Sequence, residues 1–276
     1  MKILAVANQK GGVGKTTTSV NLAASLVATS KRVLLVDLDP QGNATMGSGV
    51  DKNELEKSVY EMLTGRADIL DVIVPAEAGG FDLLPSNGDL TAAEVELLSY
   101  DNKELRLKSV LEIVKPRYEY IIIDCPPSLS MLTVNALAAA TGVVIPMQCE
   151  YYALEGLSAL TETISQIRYV LNPSLVIEGI IRTMYDPRNS LTTDVTAQLR
   201  EFFGEKLYDT VIPRNIRLAE APSFGQPALI YDPKSRGALA YLALAGEMLR
   251  REKQQSAERT VDLNPASNKL DREIEA

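Results

Sequence analysis

The sequence of 276 residues contains no histidine. Imidazole metal ligands and every mechanism that needs a histidine base are therefore excluded. Only two cysteines occur, Cys125 and Cys149, and each lies in an apolar segment, a pattern that favours a reducing compartment over a disulfide framework. Chemistry in this protein must rest on carboxylates, lysines, backbone amides or a bound metal ion.

Long apolar runs are also missing. No segment approaches the roughly 18 apolar residues of a membrane span, and the apolar run at the N-terminus is too short for a signal peptide. We therefore expect a cytoplasmic protein without a membrane-spanning segment. Acidic residues outnumber basic ones, 36 to 28, which gives a net charge of −8. Binding to nucleic acid would have to use a local basic patch.

Short segments rich in Val and Ile alternate with longer segments of helical period along most of the chain. The short segments predict strands buried on both faces: Ile3–Ala7, Val33–Asp37, Tyr120–Asp124, Val143–Met147, Val176–Ile181 and Tyr208–Ile212. The longer segments predict helices: Thr16–Ser30, Leu105–Val114, Ser130–Ala140, Ala153–Leu171, Thr192–Phe203 and Arg236–Arg251. This alternation predicts an α/β fold with a doubly wound, mostly parallel sheet and helices on both faces.

The composition, with 46% hydrophobic and 23% charged residues, is that of a globular protein. We expect one domain over residues 1–253. Residues 42–104 interrupt the alternation and predict a helical and loop insertion beside the functional site, with Phe81–Leu84 as its only strand. Residues 254–276 are polar and mixed in charge, which predicts a disordered tail.

The strongest chemical signal is the segment KGGVGKTT, which lies between a predicted strand and a predicted helix. Its glycines allow the backbone to turn tightly and to direct successive N–H groups toward an anion, next to the positive end of the helix. Lys15 would reach the β- and γ-phosphates of ATP, and the Thr16 hydroxyl would bind Mg²⁺. A connecting turn alone would not need Lys and Thr at those positions. The expected ATP site comprises Gly11, Gly12, Val13, Gly14, Lys15, Thr16 and Thr17.

Acidic residues follow two of the predicted strands. Asp37 and Asp39 stand at the end of one strand and Asp124 ends another, at the sheet edge where doubly wound proteins build their sites. The strand that ends in Asp124 would be of the Walker B type, and Asp124 would hold the metal ion through water. A single acid at a strand end is more often a turn or cap residue. Two such ends beside one P-loop favour a functional role for both.

The segment departs from the general P-loop pattern, because residue 9 is Gln and residue 10 is a second lysine. The form KGGxGKTT resembles the deviant Walker A motif of the ParA/MinD superfamily. Four further segments are similar to the chromosomal ParA/Soj branch: VLLVDLDPQGNAT (33–45), YIIIDCPPSL (120–129), VIPRNIRLAEAPSFGQP (211–227) and YDPKSRGALAY (231–241). The resemblance extends along most of the chain.

The resemblance implies specific roles for several residues. Lys10 would cross a dimer interface to the nucleotide of the other subunit, although a solvated loop lysine is the alternative. Asp39 would orient the attacking water, and Asp37 would support the Mg²⁺ shell. Pro213 and Asn215 would hold adenine, although their sequence suits an ordinary turn equally well.

The resemblance also implies a function. An ATPase of this kind forms a homodimer with ATP, binds DNA without sequence preference at the nucleoid, and is released when a ParB-like partner stimulates hydrolysis. Arg188 and Arg217 match the DNA-binding positions. Other candidates for phosphate contacts are Arg182, Arg214, Lys234 and Arg236. Acidic residues nearly balance these bases, so a solvated surface of mixed charge is the alternative, and the cargo is either a chromosome or a plasmid.

Two other functions use the same fold. A MinD-like membrane-associated ATPase for division-site placement would need a basic amphipathic helix at its C-terminus. This chain ends in Asp-Arg-Glu-Ile-Glu-Ala, so we rank that function second. A metabolic ATP-dependent ligase would add a substrate pocket, which no motif here identifies.

Overall fold

The computed structural model describes residues 1–150 and 153–262. Within these ranges the strands belong to one sheet. They are β1 (Lys2–Val6), β2 (Val33–Asp37), β3 (Val74–Ala76), β4 (Phe81–Leu84), β5 (Tyr120–Asp124), β6 (Gly142–Gln148), β7 (Val176–Tyr185) and β8 (Leu207–Pro213). The order across the sheet is β3-β4-β2-β5-β1-β6-β7-β8. All neighbouring strands are parallel except β3 and β4.

Helices cover both faces of the sheet. They are α1 (Lys15–Ala28), α2 (Asn43–Gly47), α3 (Val59–Leu63), α4 (Ile69–Val72), α5 (Leu90–Glu96), α6 (Arg106–Val114), α7 (Met131–Ala139), α8 (Ala153–Val170), α9 (Ser190–Phe203), α10 (Ile216–Glu220), α11 (Ala228–Tyr231) and α12 (Arg236–Asp262). Every predicted strand and helix is present, with shifts at the boundaries. The predicted fold class is confirmed. No helix in the described ranges is both long enough and apolar enough to cross a membrane.

The central strands are buried on both faces because their side chains alternate between two apolar layers. Ile121 and Ile123 of β5 pack in the layer that contains Leu111 of α6. Ile122, between them, packs in the opposite layer with Leu244 of α12. A continuous run of Ile and Val is therefore what this position in the sheet requires.

The insertion over residues 42–104 contains α2–α5 and, besides β4, the strand β3. The prediction that Phe81–Leu84 would be the only strand here is therefore wrong. The strand β3 has three residues with a proline at its centre, and it pairs antiparallel with β4 at the edge of the sheet. Proline is tolerated in an edge strand, where its missing N–H costs little. In a sequence, however, a proline argues against a strand, which is why β3 was not predicted.

The last helix, α12, is longer than predicted. It begins at Arg236, as expected, but continues to Asp262 instead of ending at Arg251. The residues that follow Arg251 include several strong helix formers and no Gly or Pro before Pro265. Glu252 is also fixed to the sheet, because the Tyr120 hydroxyl donates a 2.6 Å hydrogen bond to it. The predicted tail is therefore helical up to Asp262, and residues 263–276 lie outside the described residues.

Two loops meet through a pair of glycines. Gly49 follows α2 and Gly225 follows the turn 221–224, and both have left-handed backbones, with φ of 85° and 62°. A Cβ atom on Gly49 would lie 2.8 Å from the carbonyl oxygen of Gly225, and a Cβ on Gly225 would lie 2.7 Å from Cα of Gly49. Only glycine allows the two backbones to touch in this way.

Candidate functional site

The segment predicted to bind phosphate connects β1 to α1 at the carboxyl edge of the sheet. Gly12 and Gly14 have φ of 73° and 88°, and Gly14 caps the N-terminus of α1. These left-handed turns suit a concave row of N–H groups that continues into the helix terminus. The loop is held from outside, because the Thr183 hydroxyl donates to the carbonyl of Val13 at 2.8 Å and the Gln148 amide donates to that of Gly12 at 3.0 Å.

Lys15 and Thr16 lie at the start of α1. Lys15 is buried, and its ammonium donates to the carbonyl of Lys10 at 3.1 Å. Burial lowers the pKa of Lys15, an effect that the charge of Asp124 opposes. The Thr16 hydroxyl donates to one oxygen of Asp124 at 2.8 Å, and the Ser19 hydroxyl donates to the other at 2.7 Å. The sequence reading missed Ser19, although its spacing of three from Thr16 puts both hydroxyls on one helix face.

Asp37 and Asp124 end neighbouring strands and lie directly opposite each other in the register of β2 and β5. Both are fully buried. Burial raises the pKa of both carboxyls, and the charge of Asp124 adds to the increase for Asp37. Buried carboxylates of this kind call for a compensating cation.

Asp37 also holds the loop that follows it. One of its oxygens accepts hydrogen bonds from the backbone N–H and the hydroxyl of Thr45, both at 2.7 Å, and the other accepts from the N–H of Asp39 at 3.2 Å. Thr45 is a partner that the sequence reading missed. Asp39 itself accepts from the N–H of Gln41 at 2.9 Å.

A cavity of about 370 Å³ adjoins the phosphate loop, and its lining brings several predicted residues together. Predicted residues in this lining are Gly11, Gly12, Gly14, Lys15, Thr16, Thr17 and Asp39. A second cavity, of about 190 Å³, shares the lining residues Gly14, Thr17 and Met184 with the first, so the two are adjacent. Pro213 and Asn215 line this second cavity.

The second cavity has mainly apolar walls, which suit a flat aromatic base. Ile212, Leu218 and Tyr241 contribute to them, and the sequence reading identified none of the three. Asn215 caps α10, since its side-chain oxygen accepts from the N–H of Arg217 at 3.0 Å. In the sequence, Asn215 is recognisable only as a residue type that is preferred at helix N-caps.

Lys10 lies at the rim of the site. Its ammonium pairs with the carboxylate of Glu150, and its backbone N–H donates to Asn8 at 2.9 Å. Lys10 is not among the residues that line either cavity. Its side chain therefore differs from that of Lys15 in both exposure and direction.

The basic residues predicted to contact DNA fall into two groups. Arg188 is 87% exposed and Arg217 is 46% exposed, each in an ion pair. Arg214, Lys234 and Arg236 are exposed as well. Arg182 is only 3% exposed and donates to the carbonyls of Tyr208 and Asp209, at 2.9 and 3.1 Å. The expectation that Arg182 contacts phosphate is wrong, because it satisfies backbone groups where the register of β7 and β8 shifts.

Comparison with known proteins extends these observations. A family model described as "AAA domain" matches residues 1–177. The sporulation initiation inhibitor protein Soj of Bacillus subtilis is 55% identical over 90% of this chain and 98% of its own length. The chromosome partitioning protein ParA of Caulobacter vibrioides is 49% identical over 93% of this chain and 97% of its own.

Two solved structures have the same fold. Cobyrinic acid a,c-diamide synthase from Mycobacterium smegmatis, with bound ATP analog and magnesium, has a TM-score of 0.81 and 39% identity, covering 92% of this chain and 96% of its own. The cell division ATPase MinD of Pyrococcus furiosus has a TM-score of 0.73 and 26% identity, covering 90% and 98%.

The parallel sheet, the glycine-rich loop before α1 and the acids at the ends of β2 and β5 define a P-loop ATPase. Two relatives, at 55% and 49% identity, carry the names Soj and ParA. The chain belongs to the ParA/Soj family of chromosome-partitioning ATPases, and the resemblance seen in the sequence is confirmed.

Proposed function

We propose that this protein is an ATP-dependent dimeric switch that binds DNA without sequence preference and is released when a ParB-like partner stimulates ATP hydrolysis. One observation carries the proposal. Asn215, which lines the cavity beside the phosphate loop, caps the N-terminus of the five-residue helix α10, and Arg217 is the second residue of that helix. Nucleotide and DNA would therefore contact one short helix.

The residues present fit Mg-ATP. Lys15 and the N–H groups of the loop would hold the triphosphate, and Pro213 with Asn215 would hold the base. Thr16 and Asp124 would hold Mg²⁺, with Asp37 as support. The buried acids Asp37 and Asp124 fit a cation, because burial disfavours their charged forms and raises the pKa of both, and a bound cation would stabilise the carboxylates. When bound, the ion neutralises charge on the phosphates.

Asp39 would orient the attacking water. It lines the cavity of about 370 Å³ together with Lys15 and Thr16, past the end of β2. Its carboxylate accepts a hydrogen bond from the N–H of Gln41 within its own loop. That contact orients the carboxylate within its own loop, and the shared cavity supports the proposed role, since a residue that orients water must lie within reach of it.

Dimerisation would use Lys10. Its ammonium lies at the exposed rim instead of the cavity and pairs with an exposed carboxylate. A lysine in this position is able to reach outward, and a two-fold axis would supply the same contact twice.

DNA binding would use Arg188 and Arg217. Because the net charge is −8, one subunit alone should attract phosphate weakly. A dimer doubles the number of basic contacts on one rigid body, and linked contacts gain affinity through effective concentration. Contacts to backbone phosphates carry little sequence preference.

Two other functions share this fold. MinD of Pyrococcus furiosus, a cell division ATPase, is one structural neighbour, and the Mycobacterium smegmatis synthase is another. The partitioning reading is preferred because Soj and ParA are more similar in sequence, at 55% and 49% identity, than these neighbours, at 26% and 39%.

Retention of the purified protein on duplex DNA and on anionic vesicles, each with ATP, with ADP and without nucleotide, tests the proposal. Retention on DNA with ATP only is expected. Equal retention on DNA with ATP and ADP, or ATP-dependent retention on vesicles alone, would contradict it. Addition of a ParB-like partner should release the DNA and accelerate phosphate production.

A further inference from the structure

Arg188 makes three hydrogen bonds to the carboxylate of Asp186. Its backbone N–H and its Nε donate to one oxygen, at 3.0 and 2.9 Å, and Nη2 donates to the other at 2.7 Å. The two side-chain bonds form the parallel, bidentate arrangement that a guanidinium also makes with phosphate. One phosphate-binding edge of Arg188 is therefore occupied by an acid of the same chain.

The second arginine, Arg217, is occupied in a similar way. Nη1 donates to Glu220 at 2.8 Å, and Nε lies 3.3 Å from an oxygen of Asp232. The two arginines proposed to bind DNA thus share one feature, an ion pair with an acidic side chain of the same chain. In the sequence, this pairing was visible only as a near balance of acidic and basic residues. Arg188 is neutralised by one defined acidic neighbour, and Arg217 contacts two.

We propose that Asp186, and Glu220 at the second site, compete with the phosphates of DNA for these arginines and so set the affinity and salt dependence of DNA binding. The inference rests on the proposed function. A neutral Arg–Asp pair attracts phosphate weakly, and the acid repels a phosphate that approaches the same edge. Binding therefore requires that the carboxylate is displaced.

Displacement is within reach of the protein. Exposed ion pairs are weak, and this pair is exposed, with Arg188 at 87% and Asp186 at 42%. Several linked contacts in a dimer are able to replace such pairs together, whereas one contact in a monomer gains little. The competing carboxylates would thereby sharpen the difference between the two states. The hydrogen bonds from Arg188 lower the pKa of Asp186 to about 2, so this carboxylate is charged at neutral pH.

The substitution Asp186→Asn tests the competition, because it removes the charge and keeps an oxygen that accepts from the N–H of Arg188. The matched control is Asp194→Asn on α9, which makes the same change of charge at an exposed acid that forms no ion pair in the described part of the chain. Fluorescence anisotropy with a short labelled duplex is measured with ATP over a range of salt concentrations.

Asp186→Asn is expected to bind DNA roughly threefold to tenfold more tightly than Asp194→Asn, with a log–log salt slope steeper by about 0.9. Adding Glu220→Gln should increase both effects and allow some binding with ADP. A purely structural role of Asp186 would leave the salt slope unchanged. Affinity for ATP should stay at the parental value.

Each result decides between the alternatives. If the parent binds DNA with ATP but the two Asp variants bind alike, the competition is overturned and the proposed function stands. Weaker binding by Asp186→Asn overturns it as well, since the acid would then position Arg188. If neither parent nor variants bind, both proposals are overturned. If only Asp186→Asn binds, the competition is supported and DNA binding by the parent is not.

Discussion

The ammonium of Lys10 pairs with the carboxylate of Glu150, a residue 140 positions away in the sequence, and both side chains are about half exposed, at 45% and 52%. Lys15, five residues after Lys10, is buried instead. The two lysines of one phosphate loop thus face different surroundings, and substitutions should separate their roles.

Replacing Lys10 with Ala should weaken ATP-dependent dimerisation more than nucleotide binding, because its ammonium points to the rim of the site. Sedimentation with ATP measures the first property and calorimetry the second. Lys57→Ala is a suitable control, since Lys57 is exposed to a similar degree, at 43%, and also paired with an acid. A Lys10→Ala dimer as tight as that of the parent would return Lys10 to the role of a solvated loop residue.

Replacing Lys15 with Ala should reduce ATP affinity by about tenfold to a hundredfold or more, since a buried charged donor to phosphate is lost. Calorimetric titration with Mg-ATP checks this outcome. Thermal unfolding without nucleotide should show that the variant is folded. Parental affinity in a folded variant would remove the basis for placing phosphate at this loop.

Asp39→Ala should leave ATP binding intact and slow hydrolysis by about a hundredfold or more. Asp39 lines the cavity of about 370 Å³, where it would reach the attacking water. ATP binding should persist because the hydrogen bond described for its carboxylate comes from Gln41 and not from Lys15 or Thr16. Phosphate release with the activating partner present is the measurement, and Asp51→Ala, at an exposed acid after α2, is the control. Hydrolysis at the parental rate would assign the role to another residue.

Arg188→Glu combined with Arg217→Glu should eliminate DNA binding and leave ATP-driven dimerisation unchanged. For the parent, the logarithm of affinity should fall with the logarithm of salt concentration by about 0.9 per phosphate neutralised. The control is Arg117→Glu with Arg168→Glu, which makes the same change of charge at exposed residues. Arg117 precedes β5 and Arg168 precedes β7, whereas Arg188 and Arg217 follow the ends of β7 and β8. A double variant that still shifts DNA at low salt with ATP would disprove the assignment.

Glu247→Gln should destabilise the protein by about 1–3 kcal/mol. The carboxylate of Glu247 accepts from the N–H groups of Asp209 and Thr210, each at 2.9 Å, and an amide is able to accept both only through one oxygen. Burial raises the pKa of Glu247, but these hydrogen bonds and Arg251 outweigh it and lower the pKa overall.

Because that pKa is lowered in the folded state, the contribution of Glu247 is present above the pKa of an unfolded glutamate and is lost as pH falls through the lower, folded value. Urea unfolding at neutral and acidic pH measures both effects. The stability difference between parent and variant should shrink in acid, and a difference independent of pH would contradict this account.

The phosphate loop and the acids were predictable because each has a local sequence pattern, a run of strand-forming apolar residues followed at once by glycines or by an aspartate. It did not reveal Glu150, Thr45 or Thr183, because these residues reach the site from other elements. Thr183, for example, contacts Val13 across 170 positions. Apolar periodicity reports that a residue is buried but not which residue it contacts.

Arg182 illustrates a second limit. An arginine near other bases resembles a surface residue, and its burial depends on unpaired carbonyls that arise only where β8 slips against β7. Similarly, β3 exists only because β4 offers it an edge to pair with. Both features come from tertiary contacts that override local preference.

The contact between Gly49 and Gly225 has a consequence for how signals would pass through the protein. Thr45 of α2 is held by Asp37, and Gly49 just beyond α2 touches the backbone that follows α10. The two segments therefore contact each other directly through the main chain, without intervening side chains. Coupling between two binding free energies is reciprocal, so under the proposed function DNA at Arg217 would change the affinity for ATP by the same factor by which ATP changes the affinity for DNA.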